Sequence, residues 1–148
     1  MTLHHYTECG LSYVYLENGF VQDSIEGEEY VGIDDIDSLH ETIGRFVVDK
    51  QSTLEGQEVR FLRIEMNMSQ KGLGALLGVE DQTIARWEKD QTAIPRTADV
   101  LLRSLYLESI NRESHIGHLL KVLAESETRE AMQDLRLREV ENQWQLAA

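Results

Sequence analysis

The chain has 148 residues, 41% of them hydrophobic, enough for one compact domain or two small ones. It contains no run of about 18 apolar residues and no basic-then-apolar N-terminus, so neither a membrane span nor a secretory signal is expected. A single cysteine, Cys9, cannot form an internal disulfide and fits a reducing cytoplasm. The net charge of −13 argues at first against a nucleic-acid partner, but the charge is unevenly spread. Residues 1–55 carry 2 basic and 12 acidic side chains, residues 56–96 carry 6 of each, and residues 97–148 carry 6 basic and 9 acidic. The middle third is the least acidic part, with Arg60, Arg63, Lys71, Arg86, Lys89 and Arg96 as its cations.

Residues 1–35 read as a small β region. Tyr13 to Leu16 alternates aromatic and aliphatic residues, Asn18-Gly19 is a strong hairpin-turn signal, Phe20-Val21 resumes the apolar pattern, and Tyr30 to Ile33 makes a further strand. So small a sheet must pack on something, and the next element is its expected partner. Ser38 and Glu41 have capping-box spacing, and Leu39, Ile43, Phe46 and Val47 form one apolar stripe of a helix expected over residues 38–49. The acidic runs Glu26-Gly27-Glu28-Glu29 and Asp34-Asp35-Ile36-Asp37 read as solvated loop, and Asp49 to Thr53 as a polar join.

The next helix, about Gln57 to Met66, shows Val59, Leu62 and Met66 on one face. From Ser69 to Pro95 the pattern is two short helices over a tight turn. Leu73, Gly74 and Leu77 share a face, and Gly78 ends the helix because it takes positive φ without a Cβ penalty. Val79 turns inward, and Ile84 and Trp87 follow at i and i+3 of the second helix. Helices crossing at about 90 to 120° over a short turn need a very small residue where their backbones meet. Gly74 supplies it, with Ile84 expected to pack against it. Asp81, Gln82, Thr83, Ala85 and Arg86 are left facing out, while Trp87 belongs to the core. On a lone amphipathic helix such a face would be ordinary solvated surface; the two-helix pattern makes it a candidate reading face. Pro95 suits a position at or just before the start of a fourth helix carrying Leu101, Leu102, Leu105 and Ile110.

The run Val59 to Gln70, then Ala75-Leu76-Leu77-Gly78-Val79, then Gln82 to Glu88, then Ile94-Pro95 resembles the Cro/repressor-type (Xre) helix-turn-helix domain over residues 55–112. The resemblance implies a mainly α fold: a five-helix Xre-type helix-turn-helix domain, here with a small N-terminal β-hairpin or sheet plus helix unit and with C-terminal helices. It implies that Gln70 clamps a phosphate and that Gln82, Thr83 and Arg86 read bases or backbone. Lys71 joins Gln70 in positioning the domain on phosphates, and Lys89 is a further phosphate contact. Arg86 has the strongest individual case, because a guanidinium pairs bidentately with guanine. The wider pattern also resembles the antitoxin branch typified by MqsA, which places Asn or Gln and, four residues on, Arg on the recognition helix. Glu80 and Asp81 depart from the family. They suit the positive end of the helix dipole but face a polyanion, and one of the two could instead accept from a cytosine amino group. Gly72 is a second glycine in the same short helix, at a cost of about 1 kcal/mol relative to alanine in a helix interior.

After Arg112, Ile116, Leu119, Leu120 and Leu123 continue as a helix, Glu125 to Thr128 is a break capped by Ser126 or Thr128, and Met132, Leu135, Val140 and Trp144 mark a last helix. The expected layout is an acidic α+β unit over 1–52, the reading domain over 53–112, and C-terminal helices over 113–148 that serve dimerisation.

His4, His5 and Cys9-Gly10 resemble a fragment of the zinc module of MqsA-type antitoxins, but one cysteine cannot make an all-cysteine tetrahedral site. His115 and His118, at i and i+3, lack a carboxylate at helical spacing. No metal and no cofactor is expected. None of the sequence patterns of serine hydrolases, phosphate-binding loops, zinc proteases or dinucleotide sites occurs, so the chain is not expected to be an enzyme. The sequence points to a regulator, a repressor by expectation, whose partners are double-stranded DNA and a second copy of itself, with no membrane partner. The alternative is an antitoxin whose acidic N-terminal unit or C-terminal region holds a basic toxin through charge-steered association. A third reading is an interaction module that has lost DNA binding.

Overall fold

The computed structural model describes residues 3–111 and 136–146. Strands β1 (His4–His5) and β2 (Tyr15–Leu16) pair antiparallel, with His4 opposite Leu16. Strands β3 (Phe20–Ile25) and β4 (Glu28–Ile33) form a separate antiparallel hairpin closed by Glu26 and Gly27, whose φ values are 53° and 83°. Two positive φ angles in a two-residue loop give the turn whose twist matches that of the strands. The turn expected at Asn18-Gly19 is therefore not the hairpin turn. Gly19 does adopt φ 78°, but there the chain steps from one strand pair to the next, and the Gly19 carbonyl accepts from the Asp34 N–H at 2.8 Å. Glu28 and Glu29 belong to a strand rather than to a loop.

Helix α1 (Ile36–Asp49) begins two residues before the expected start. Its N-cap is Asp35, at φ 45°, whose carboxylate accepts from the Ser38 N–H at 3.4 Å. Ser38 is thus the capped residue and not the cap. The buried stripe is Ile43, Gly44, Val47 and Val48. Phe46, expected inside, is 60% exposed and lies in a T-shaped arrangement with the Tyr13 ring, centroids 6.1 Å apart. Gly44 explains the rotation. A Cβ there would overlap the Tyr106 phenol, so the helix lays its bare glycine against that ring and turns Phe46 outward.

Helices α2 (Gly56–Glu65), α3 (Gln70–Leu77), α4 (Asp81–Glu88) and α5 (Arg96–Asn111) follow. Helix α2 packs against α1, α4 and α5, which is why Phe61 and Glu58 are buried along with Val59 and Leu62. One apolar cluster runs from Tyr6, Leu11, Ile43 and Val47 through Val59, Leu62, Leu73, Ile84 and Trp87 to Leu102, Leu105 and Tyr106. The polar join after α1 is fastened to this body. Arg103 donates to the carbonyls of Val48, Lys50 and Ser52, and so satisfies the open end of α1. Asp99 accepts from the Leu54 N–H at 2.8 Å. The buried Glu58 accepts from Lys50 Nζ at 2.7 and 2.9 Å and from the Tyr13 hydroxyl at 2.6 Å, tying the N-terminal segment to α2. That bond and the burial of the ring both raise the Tyr13 pKa, burial more.

Strands β5 (Leu137–Val140) and β6 (Gln143–Leu146) form a third hairpin, where the end of a helix was expected. Val140 and Trp144 do have helical spacing, but Glu141 and Asn142 take φ values of 51° and 67° and turn the chain back on itself. The rest of that expectation, from Ile116 to Leu135 and including Ser126, Thr128 and His118, lies outside the described residues, as does His115. Among the described residues no helix is long and apolar enough to cross a membrane.

Gly44→Ala is expected to lower stability by about 1–3 kcal/mol, the usual cost of forcing extra atoms into a packed core. Thermal denaturation beside the wild type checks it.

Candidate nucleic-acid interface

Helices α3 and α4 are joined by Gly78-Val79-Glu80, and three local features set the joint. Ser69 caps α3, its hydroxyl accepting from the Gly72 N–H at 2.9 Å. A Cβ on Gly72 would stand 3.2 Å from that hydroxyl, a tight contact, which gives the second glycine a reason the sequence did not offer. Gly78 ends the helix at φ 74°, and the Val79 N–H then donates to the Gly74 carbonyl at 2.9 Å. A Cβ on Gly74 would lie 2.6 Å from the Val79 carbonyl oxygen. The bare surface of Gly74 therefore meets the backbone of the turn itself. A methyl there would push the whole of α4 away.

Helix α4 spans the residues the sequence indicated. Ile84 is fully buried and Trp87 is 4% exposed, so the tryptophan is core. Asp81, Gln82 and Arg86 are exposed, while Thr83 and Ala85 are half-buried. The Gln82, Thr83 and Arg86 side chains have no hydrogen-bond or ion-pair partner among the described residues, and neither do the exposed Lys71 and Lys89. Asp81 accepts from the Gln82 N–H at 2.8 Å, so its carboxylate sits on the positive end of its own helix.

The far end of α4 is anchored by Glu88, whose side chain is 4% exposed. It accepts from Arg63 Nε at 2.6 Å, from Arg63 Nη2 at 3.0 Å and from the Gln70 amide at 3.2 Å. Arg63 also donates to the Met68 carbonyl at 2.9 Å, in the turn between α2 and α3. One carboxylate thus ties the last turn of α4 to α2 and to the first residue of α3. Gln70 spends one amide proton on this contact and keeps another for a ligand. Arg63 is consumed by the pair, which leaves Lys71, Arg86 and Lys89 as the cations on or beside α4. Sequence reasoning counted Arg63 among the reading cations and overlooked Glu88. The signal was present: Arg63 lies four residues after Val59, and Glu88 four after Ile84, so each polar residue falls on a buried face.

The N-terminal histidines and cysteine do not converge. His5 Nε2 lies 2.7 Å from the Ser12 carbonyl, His4 is 4.0 Å from Glu8, and the Cys9 thiol donates to the Tyr6 carbonyl at 3.6 Å. Burial raises the Cys9 pKa and keeps the thiol protonated. Among the described residues no group of three His, Cys, Asp or Glu side chains is arranged to hold a metal ion. Tyr6, His40 and Glu65 form a separate chain, with the Tyr6 hydroxyl 2.7 Å from His40 Nε2 and His40 Nδ1 3.0 Å from Glu65. It pins the N-terminal loop to α1 and α2.

Residues 59–101 match the family model described as helix-turn-helix, a span that takes in most of α2, all of α3 and α4, and the start of α5. No curated protein and no solved structure matches the chain.

Arg63→Ala is expected to cost about 3–5 kcal/mol, because it strands the buried Glu88 charge. Arg86→Ala, at an exposed position, is expected to stay within about 0.5 kcal/mol of the wild type. Urea unfolding at neutral pH separates the two.

Proposed function

We propose, from the premise that residues 59–101 are a helix-turn-helix domain of the Cro/repressor (Xre) type, that this DNA-binding transcription regulator reads a specific operator with the outer face of α4. The observation that carries this reading is the pair Gln82 and Arg86, exposed on one helical face, without partners among the described residues, on a helix fixed at both ends. In the major groove a guanidinium matches guanine O6 and N7, and a glutamine amide matches adenine N6 and N7. Thr83, lower on the face, contacts a base edge or the backbone. Gln70, Lys71 and Lys89 hold phosphates, and Asp81 lies beside them as a cap or as an acceptor from cytosine.

A reading head with so few free cations makes few phosphate contacts, so one copy binds weakly. Two copies related by a two-fold axis, with their recognition helices about 34 Å apart, supply the affinity and call for a near-palindromic operator. Bound across a promoter, such a dimer represses by occupancy alone.

Selection of binding sites from random DNA with the purified protein gives the operator. On that site Arg86→Ala is expected to cost about 1–3 kcal/mol and to relax one base position. Lys89→Ala is expected to weaken all sequences alike and to lower the salt slope by about one. A mobility shift unchanged by both substitutions would remove this face from the reading.

A second reading, antitoxin, is favoured by the β3–β4 hairpin. Its outward face carries Val21, Ile25 and Tyr30, 61%, 58% and 45% exposed, between Asp23 and Glu28, and residues 1–44 contain no lysine or arginine. Such a surface suits a basic protein partner. Rescue by this chain of growth arrest caused by the product of an adjacent small open reading frame is the expected result. An adjacent product that arrests growth with or without this chain would refute it.

A further inference from the structure

We infer that the outer edge of β6 is a self-association surface: two copies of the chain join there, antiparallel and centred on Trp144, to make a four-stranded sheet. The β5–β6 hairpin has two strands, too few for stability in water without further packing. None of its residues belongs to the core cluster, and Leu137, Val140 and Trp144 are 52%, 39% and 70% exposed. A tryptophan offers about 150–250 Å² of surface to bury, so something is to be gained by covering it.

Charge selects the occupant. A second copy is repelled by the acidic first third of the chain, but residues 136–146 hold two arginines and two glutamates and are neutral. A neutral surface attracts neither DNA nor a strongly charged protein. Charge also selects the edge. Two copies of one strand meeting antiparallel across a two-fold axis place the central residue opposite itself. On β5 this would set Arg138 against Arg138 or Glu139 against Glu139, which like-charge repulsion disfavours. Strand β6, Gln143-Trp144-Gln145-Leu146, has no charge and no proline, so it lacks the usual devices that protect an edge from pairing.

The backbone selects the register. A two-residue turn closes on a hydrogen-bonded pair, here Val140 and Gln143, and the alternation of an antiparallel ladder leaves the next pair, Glu139 and Trp144, unbonded. The N–H and C=O of Trp144 therefore point away from β5, toward the free edge. Across the two-fold axis Trp144 exchanges two hydrogen bonds with its copy, the two indoles share a face, and each Gln143 stands opposite the partner's Gln145. This association would supply the second copy that the DNA reading calls for, but it is measured without DNA, so failure of either leaves the other standing.

Sedimentation equilibrium of the full chain over a wide concentration range is expected to show a monomer–dimer equilibrium. Trp144 emission should shift to the blue as the dimer forms, since the other tryptophan, Trp87, is already buried. Gln143→Lys with Gln145→Lys sets like charges against each other in both cross-strand pairs and is expected to weaken association by about tenfold or more. Gln143→Lys with Gln145→Glu sets opposite charges in the same pairs and is expected to restore it. A wild type that stays monomeric, a dimer undiminished by the two lysines, or equal loss in both double variants overturns the proposal.

Discussion

Helix α4 has eight residues, too few to hold itself together or to fix its own direction, so everything proposed for its outer face depends on how its two ends are held. At the leading end the constraint is steric, the Val79 carbonyl resting on the bare Cα of Gly74. At the trailing end it is ionic, Glu88 caught by Arg63 and Gln70. A buried ion pair is weak evidence of stability, because desolvation cancels much of its attraction. Its worth here is geometric. A carboxylate that accepts from a fork of guanidinium donors is fixed in direction as well as distance, and it fixes the roll of α4 about its own axis. Roll decides whether residues 82 and 86 point outward together. Gln70 takes part in the same contact, so a proposed phosphate-binding residue and the proposed base-reading helix share one anchor.

The sequence showed the helix-turn-helix clearly because its signals are local and steric. A glycine at positive φ, an apolar pair at helical spacing and a serine cap act over a few residues, and the structure places the joint and α4 where they indicated. The errors lie where a distant partner chose between local options. Asn18-Gly19 is a better turn sequence than Glu26-Gly27, yet Tyr15-Leu16 pairs with His4-His5 and leaves Phe20 to Ile25 for β4. Phe46 has the spacing of a core residue, yet the fit of Tyr106 onto Gly44 rotates α1 past it. Val140 and Trp144 suit one helical face or two strands of a hairpin equally, and the two-residue turn at Glu141-Asn142 decides. At the candidate interface the exposed positions were legible and the anchor was not, because a buried carboxylate looks polar in a sequence until its arginine is found 25 residues away.

The N-terminal unit and the helix-turn-helix domain share a core as well as a chain. Arg103 holds the carbonyls at the end of α1, Asp99 holds the join, and Glu58 gathers Lys50 and Tyr13 onto α2. These contacts put α1 and the segment around Tyr13 on the same body as α4. A ligand that shifted α1 would pull on α2, and α2 carries Arg63. The route from one to the other is a run of packed side chains and ion pairs; a two-state element along it would be needed before the word allosteric applied.

The acidity of the chain bears on discrimination more than on affinity. Sequence-independent binding comes from phosphate neutralisation, and on the proposed reading a chain with a charge of −13 and few cations beside α4 is expected to have little of it. Contacts to base edges are made at short range and depend far less on net charge. Excess acid therefore lowers the background more than it lowers the specific complex, and the ratio between them widens. Glu80 and Asp81 act in the same sense at close quarters. On the proposed reading Glu80 and Asp81 face the phosphates of any site, with the Asp81 carboxylate partly balanced by the N–H of Gln82 and the dipole of its own helix. On the proposed reading a monomer holds DNA weakly, so two copies must meet on the operator, through β6 or through another surface.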